Sequence, residues 1–411
     1  MENEALSPVE RILRKEGAMR NILSLDGGGT RGIFSLQILA RMEQLLREKF
    51  GRPDMVLADH FDFIGGTSTG AIIAAALSWG VPVAKIEEFY LNQSRRVFSR
   101  KTLWSRLRSK YHAEELSKLL SDFFSDTDGK PATLGTDRLK TLYLCVMRNA
   151  STGSAWIMTN NPRAKFNQRA GADKDGKIPP SNLDLELYKL IRASTAAPIF
   201  FRPEMISEGD QSWLFLDGAV TPYNNPAFML YLLATLPCYN LNWPEGEDKM
   251  RIISVGTGRV RIKFAKTQAG KVNVLDQASH AVLALIDSNN QHQDLSCRAI
   301  GRCLFGEDID SEIEALVDPA DLGQIKTVVT APAALQIDGG SLNASLREQA
   351  RKGPPRRFVY CRYNHNLTKA EIEKASHIAN FFSVDNLEAI DFLKELGMKF
   401  AEENVKIQHL V

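Results

Sequence analysis

The chain has 411 residues, 44% hydrophobic and 24% charged, with 51 Lys and Arg against 49 Asp and Glu. That length suits one large α/β domain or two to three ordinary ones. A formal net charge of +2 excludes a nucleic-acid binder driven by overall charge, and the ordinary composition excludes a disordered chain.

The opening stretch, MENEALSPVERILRKEG, lacks the apolar core of a secretory signal, and no apolar run reaches the roughly 18 residues of a membrane span. Five cysteines, odd in number and never spaced C-x-x-C, read as reduced thiols and not as a disulfide framework or zinc site. These features predict a cytoplasmic protein that meets a membrane only at its surface. They call for no metal and no cofactor.

In chain order, residues 21–25 (NILSL) predict a buried strand ending at glycines, and Ile33 to Phe50 carries apolar residues at helical spacing. Residues 61–66 (FDFIGG) predict a second strand. Residues 71–80 predict an apolar helix stopped by Gly80 and Pro82. Strand, loop and helix twice over point to a parallel sheet flanked by helices. Further strands are expected at 141–147, 213–216 and 251–255, with an exposed polar loop at 167–181. Thr368 with Glu371, and Asp385 with Glu388, fit capping boxes ahead of two helices that end near residue 405. The expected organisation is a main domain over 18–365, with its core motifs in 21–260, and a helical tail over 366–411 packed on it.

The strongest chemical signal is Gly66-Thr67-Ser68-Thr69-Gly70, after a strand and before a helix. G-x-S-x-G in that context is a nucleophile elbow. The flanking glycines relieve a crowded turn, and the serine stands at a helix N-terminus that favours developing negative charge. Without that context the motif is an incidental tight turn.

A serine nucleophile needs a base. None of the seven histidines lies in a strand–turn setting that suits one, and His60 precedes Ser68 at the wrong end of the sheet. Asp217, just past the strand WLFL, lies where strand C-termini open on a common edge. Asp217-Gly218 also reads as a plain turn.

Residues 26–32 (DGGGTRG) set bare backbone N–H groups between a strand and a helix, suited to a phosphate or to a transient oxyanion. Gly27-x-Gly29-x-x-Gly32 matches the dinucleotide-binding pattern, which would make the chain a nucleotide-binding oxidoreductase. That pattern needs an acid at the end of the second strand. Here the second strand runs into the serine turn, and Asp62 is expected inside it.

Four blocks together resemble the patatin-like phospholipases: 26–32, 66–70, ASTAAPIFF (193–201) and Asp217-Gly218-Ala219, with ISVGTG (253–258) also fitting. The resemblance covers roughly residues 20–260, and SVDNLEAIDFLKELGMKFAEENV looks more like bacterial cytosolic members than plant storage patatins. Ala219 is a small departure where the family often has a second glycine. The resemblance implies a three-layer α/β/α fold with a mostly parallel central sheet and a C-terminal helical extension. It also implies a Ser–Asp dyad, with Ser68 the nucleophile and Asp217 the general base. Gly27, Gly28 and Gly29, with Arg31, would form the oxyanion hole, and Gly66 and Gly70 the elbow. Arg31 could equally hold a substrate phosphate or brace the loop, and Asp26 is expected to brace it. The implied reaction releases fatty acids from membrane glycerophospholipids through an acyl-enzyme. A non-catalytic lipid- or nucleotide-binding module on the same fold is the remaining alternative.

SRRVFSRKTLWSRLRSKY (94–111) holds seven basic residues and no acid, interleaved with apolar ones. It fits contact with an anionic membrane surface, a solvated helix face, or a pocket for a phosphate-bearing regulator. Family resemblance adds the last idea, because bacterial members of this size resemble effectors of cyclic-oligonucleotide anti-phage systems. DSNNQHQDLSCRAIGR (287–302) is the second candidate segment for a cyclic dinucleotide activator, and otherwise an amphipathic helix and loop.

Overall fold

The computed structural model describes residues 6–97, 105–168, 171, 180–198, 201–208, 211–259, 274–307, 356–375, 378 and 386–411. Its strands are β1 (Arg20–Leu25), β2 (Phe63–Thr67), β3 (Leu142–Asn149), β4 (Ser154–Thr159), β5 (Glu204–Glu208), β6 (Gln211–Asp217), β7 (Met250–Val255), β8 (Arg302–Phe305) and β9 (Val359–Tyr363). They form one sheet in the order β5-β6-β3-β2-β1-β7-β9-β8, with β4 also on β3. The pairs β1–β2, β1–β7, β2–β3, β7–β9 and β8–β9 are parallel. Only the pairs made by β4, β5 and β6 are antiparallel.

The helices are α1 (Pro8–Arg14), α2 (Gly32–Phe50), α3 (Thr69–Ser78), α4 (Val83–Val97), α5 (Ser105–Phe123), α6 (Leu187–Ser194), α7 (Ala227–Thr235), α8 (Val274–Ile300), α9 (Lys369–Lys374) and α10 (Ile390–Asn404). Successive strand residues point to opposite faces. Leu23, Leu25, Ile64 and Val255 therefore join α2, α3 and α10 in one core cluster. Ile22, Phe63, Leu144 and Ile252 join α7 in another. Both faces are covered, which is why these strands are continuously hydrophobic. The result is a three-layer α/β/α fold.

One feature of the sheet sets the site. β4 occupies one edge of β3 from Leu144 to Asn149. β2 and β6 must therefore share the other edge. β2 pairs there in parallel as far as Thr67 opposite Val146, and β6 pairs antiparallel from Asp217 opposite Met147. The two strands meet end to end, with Thr67 and Asp217 against consecutive residues of β3. Asp217 thus reaches the serine from an antiparallel strand, not from the parallel edge that the sequence suggested.

The C-terminal helices complete one outer layer. α10 packs on α2, where the approach is close enough that a Cβ on Gly397 would lie 3.1 Å from the Phe34 carbonyl oxygen. His409 meets the Tyr363 hydroxyl at 2.7 Å, and His60 Nε2 meets the Leu410 carbonyl at 3.0 Å. The Thr368–Glu371 capping box starts α9 as expected, whereas Asp385 lies outside the described residues. So does most of the 167–181 loop. Of segment 94–111, residues 98–104 lie outside them, between α4 and α5. β4, β5, β8 and β9 are strands beyond those expected from the sequence.

Candidate active site

β2 ends at Thr67 and α3 begins at Thr69, so Ser68 alone turns the chain. Its φ of 55° and ψ of −126° are unusual for a residue with a side chain, and such backbone strain clusters at functional sites. The turn tolerates no bulk around it. A Cβ on Gly66 would stand 2.1 Å from the Gly70 carbonyl oxygen, and one on Gly70 would stand 2.4 Å from that of Leu25. The Ser68 N–H donates to Ser194 Oγ at 2.9 Å, and that hydroxyl donates to the Val146 carbonyl at 2.5 Å. Ser194, at the end of α6, therefore ties the elbow to β3.

Ser68 Oγ donates to Asp217 Oδ2 at 2.6 Å. Asp217 Oδ1 accepts the Ala219 N–H at 2.7 Å, so both carboxylate oxygens are held. Asp217 is 2% exposed and Ser68 8%. Burial pushes the Asp217 carboxyl up to about 6, opposed by its hydrogen bonds from Ser68 and Ala219 and by the nearby Arg192 charge. An aspartate is an inadequate base at its usual pKa of about 3.9; at about 6 it is close to matched to neutral pH. Arg192 is fully buried, stacked over Phe201 at 4.8 Å and 3.9 Å from Glu204.

Among the described histidines, His60, His292, His365 and His409 find partners other than Ser68. His60, held neutral by burial with a pKa of about 4, lies before β2, at the opposite end of that strand from Ser68. Asp62 also precedes β2 instead of lying within it. Its carboxylate is taken by Lys15 at 2.7 Å and the Asn21 N–H at 2.9 Å. It cannot hold a ribose at the glycine loop, and the dinucleotide-binding reading loses its acid.

The glycine loop lies against the elbow. A Cβ on Gly27 would fall 3.1 Å from Ser68 Cβ and 2.3 Å from Asn224 Oδ1. Thr69 Oγ1 and the Tyr90 hydroxyl both donate to the Gly29 carbonyl, which turns that carbonyl away from the role of the amides. The Gly27 N–H is already donated to the Asn224 carbonyl at 3.2 Å, so Gly27 shapes the loop and supplies no free donor. The N–H groups of Gly28 and Gly29 meet no acceptor among the described residues. Arg31 donates to the carbonyls of Gly28 at 3.4 Å and Gly258 at 3.3 Å. It fastens the loop to the 256–258 turn. Asp26 forms a two-pronged buried pair with Arg362 of β9, at 2.8 and 2.6 Å, bracing the loop from below. Ser194, Asn224 and Arg362 were not singled out in the sequence, although Ser194 lies in the ASTAAPIFF block.

A strained serine elbow, a carboxylate on the serine hydroxyl and an amide loop beside them, on a three-layer α/β fold, define the class as a serine-hydrolase-type site. The patatin-like phospholipase family matches residues 23–231, half of the chain, and the chain belongs to that family. It is 29% identical to Patatin-17 of Solanum cardiophyllum over 286 residues, which cover 66% of this chain and 68% of the relative. It is 29% identical to the cGAMP-activated phospholipase of Vibrio cholerae over 244 residues, 57% of this chain and 63% of that one. "Probable inactive patatin-like protein 9" of Arabidopsis thaliana is 30% identical over 252 residues, 58% of this chain and 60% of that one. Each alignment thus spans only about three-fifths to two-thirds of the relative. Membership alone does not decide activity; the residues of the site do.

Proposed function

We propose that the chain is a serine acyl hydrolase of phospholipase A or lysophospholipase type, releasing fatty acids from membrane glycerophospholipids. The observation that carries this reading is the 2.6 Å hydrogen bond from Ser68 Oγ to Asp217 Oδ2. Asp217 takes the hydroxyl proton as Ser68 Oγ attacks the ester carbonyl carbon. The tetrahedral oxyanion is held by the N–H groups of Gly28 and Gly29 and by the α3 N-terminus. As the carbon–oxygen bond to the alcohol breaks, Asp217 returns the proton to the leaving oxygen. Water, deprotonated by Asp217, then attacks the acyl-enzyme. The fatty acid departs and the proton goes back to Ser68 Oγ.

The name of the Vibrio cholerae relative supports a second element, activation by a cyclic dinucleotide, which would suit a role in anti-phage defence. Such an enzyme would act in the cytoplasm, at the inner face of the membrane, with 94–111 as the candidate lipid contact. Among the described residues no helix is long and apolar enough to cross a membrane.

The test is fatty-acid release from phospholipid vesicles and lysophospholipid micelles, with and without cGAMP, by wild type, Ser68→Ala and Asp217→Ala. Full turnover by either variant would refute the dyad. Equal activity with and without a panel of cyclic dinucleotides would remove the activator and leave the hydrolase.

A further inference from the structure

Arg192, in the last turn of α6, is fully buried. None of its three guanidinium nitrogens donates a hydrogen bond to a described residue. Its charge is met by the Glu204 carboxylate at 3.9 Å, beyond hydrogen-bond reach, and by the face of Phe201 at 4.8 Å. Taking a guanidinium out of water is costly, and a loose pair without hydrogen bonds repays little of that cost. Methionine would fill the space more cheaply, so packing does not account for an arginine here.

The register of β5 and β6 shows what that charge faces. Glu204 stands opposite Phe215 in the antiparallel pair, and opposed residues share a face of the sheet. Asp217, two residues on from Phe215, lies on the same face. Glu204 and Asp217 are thus diagonal neighbours, roughly 7–8 Å apart along the backbone, on the surface that α6 covers. The cover is fixed at the Asp217 end as well. The Asp217 N–H donates to the Ala196 carbonyl at 2.9 Å, and Ser194 holds the Ser68 N–H. Arg192, four residues before Ala196, acts with its charge on both carboxylates.

Among the described residues no other charge competes at Asp217. Strand β2, helix α3 and the turn 218–220 contain no charged residue. Arg148 of β3 stands opposite Leu216 and so on the other face. Glu208, the other acid of β5, lies opposite Gln211 at the far end of the hairpin. Tyr188 and Lys189 of α6 couple to Glu204 and not to Asp217. In the glycine loop, Asp26 is taken by Arg362, and Arg31 by backbone carbonyls.

We propose that Arg192 is a positioning residue of the dyad, a buried counter-ion shared by Asp217 and Glu204 that keeps Asp217 ionised beside Ser68 at neutral pH. This assignment rests on the dyad reading above. The two influences oppose each other, and the base needs both. Burial alone drives a carboxyl to its neutral form, which cannot take the serine proton. A guanidinium that served Asp217 alone would make it too weak a base. Glu204 draws off part of the charge and leaves Asp217 between those limits.

The test is the pH dependence of Ser68 labelling by a long-chain alkyl fluorophosphonate in the full chain, for wild type, Arg192→Met and Glu204→Gln. Circular dichroism establishes that each variant is folded. Wild-type labelling should rise with pH through about 6. Arg192→Met should move that midpoint up by at least about one pH unit, which is about tenfold slower labelling at pH 5, and should keep a plateau at high pH. Glu204→Gln, at a partly exposed position, should move the midpoint down, because Arg192 then serves Asp217 alone. A merely structural arginine would slow labelling at every pH and leave the midpoint in place. That result from Arg192→Met would overturn the proposal. So would an unmoved or raised midpoint in Glu204→Gln, which also decides the matter if Arg192→Met does not fold. Wild-type labelling of a serine other than Ser68, or at a rate independent of pH, would refute the dyad itself.

Discussion

Asp217→Asn should make the protein more stable at neutral pH while abolishing its chemistry. The aspartate pKa rises from 3.8 in the unfolded chain to about 6 in the fold, chiefly through burial. A group raised in this way contributes stability that is fully present below pH 3.8 and lost as pH rises through 6. At pH 7 and above, ionising the buried carboxyl costs about 3 kcal/mol, an order-of-magnitude figure from a shift of about two units. Asparagine escapes that cost, is nearly isosteric, and can still accept the Ala219 N–H. The gap in unfolding free energy between variant and wild type should therefore widen by about 1.4 kcal/mol between pH 5 and pH 7.5. Denaturant unfolding at the two pH values measures it. Fatty-acid release by the variant should fall by a factor on the order of 10² to 10⁴, the usual contribution of a general base. A variant that is less stable than wild type at pH 7.5, or a gap that does not widen, would refute the claim that burial sets the basicity of Asp217.

Other outcomes follow from neighbouring contacts. Wild-type kcat/KM should rise with pH through about 6 as Asp217 ionises, so that a pH–rate profile shows about a tenth of the plateau at pH 5. Gly66→Ala forces a Cβ to 2.1 Å from a backbone oxygen; it should abolish hydrolysis and lower the melting temperature by several degrees in a thermal scan. Ser194→Ala leaves the Ser68 N–H and the Val146 carbonyl without their partner, a loss of about 1–3 kcal/mol in denaturant unfolding, with kcat reduced more than KM. Arg362→Ala strands the buried Asp26 carboxylate and should cost about 3–5 kcal/mol by the same measurement.

The elbow and the glycine loop were legible in the sequence because their requirements are local. Gly66, Ser68 and Gly70 lie within five residues, and a strand and a helix flank them. Asp217 was legible as a turn acid, and its role came from the family resemblance. Its pairing with Ser68 across 149 residues depends on β6 meeting β2 along one edge of β3, which no local pattern encodes. The supporting residues are more distant still. Ser194 holds Ser68 across 126 residues, and Arg362 holds Asp26 across 336. A serine in an alanine-rich turn and an arginine in a strand look ordinary until the sheet order brings them to the site. Gly27 shows the converse: the family resemblance implied an oxyanion donor there, but a backbone carbonyl of Asn224 already takes its N–H.

The most direct test of the dyad is covalent labelling of the full chain with a long-chain alkyl fluorophosphonate, read by intact mass and peptide mapping. One adduct on Ser68 is expected, absent from Ser68→Ala and formed at least a hundredfold more slowly by Asp217→Asn. Labelling of a different serine, or an undiminished rate in Asp217→Asn, would contradict the assignment of Ser68 as nucleophile and Asp217 as its base.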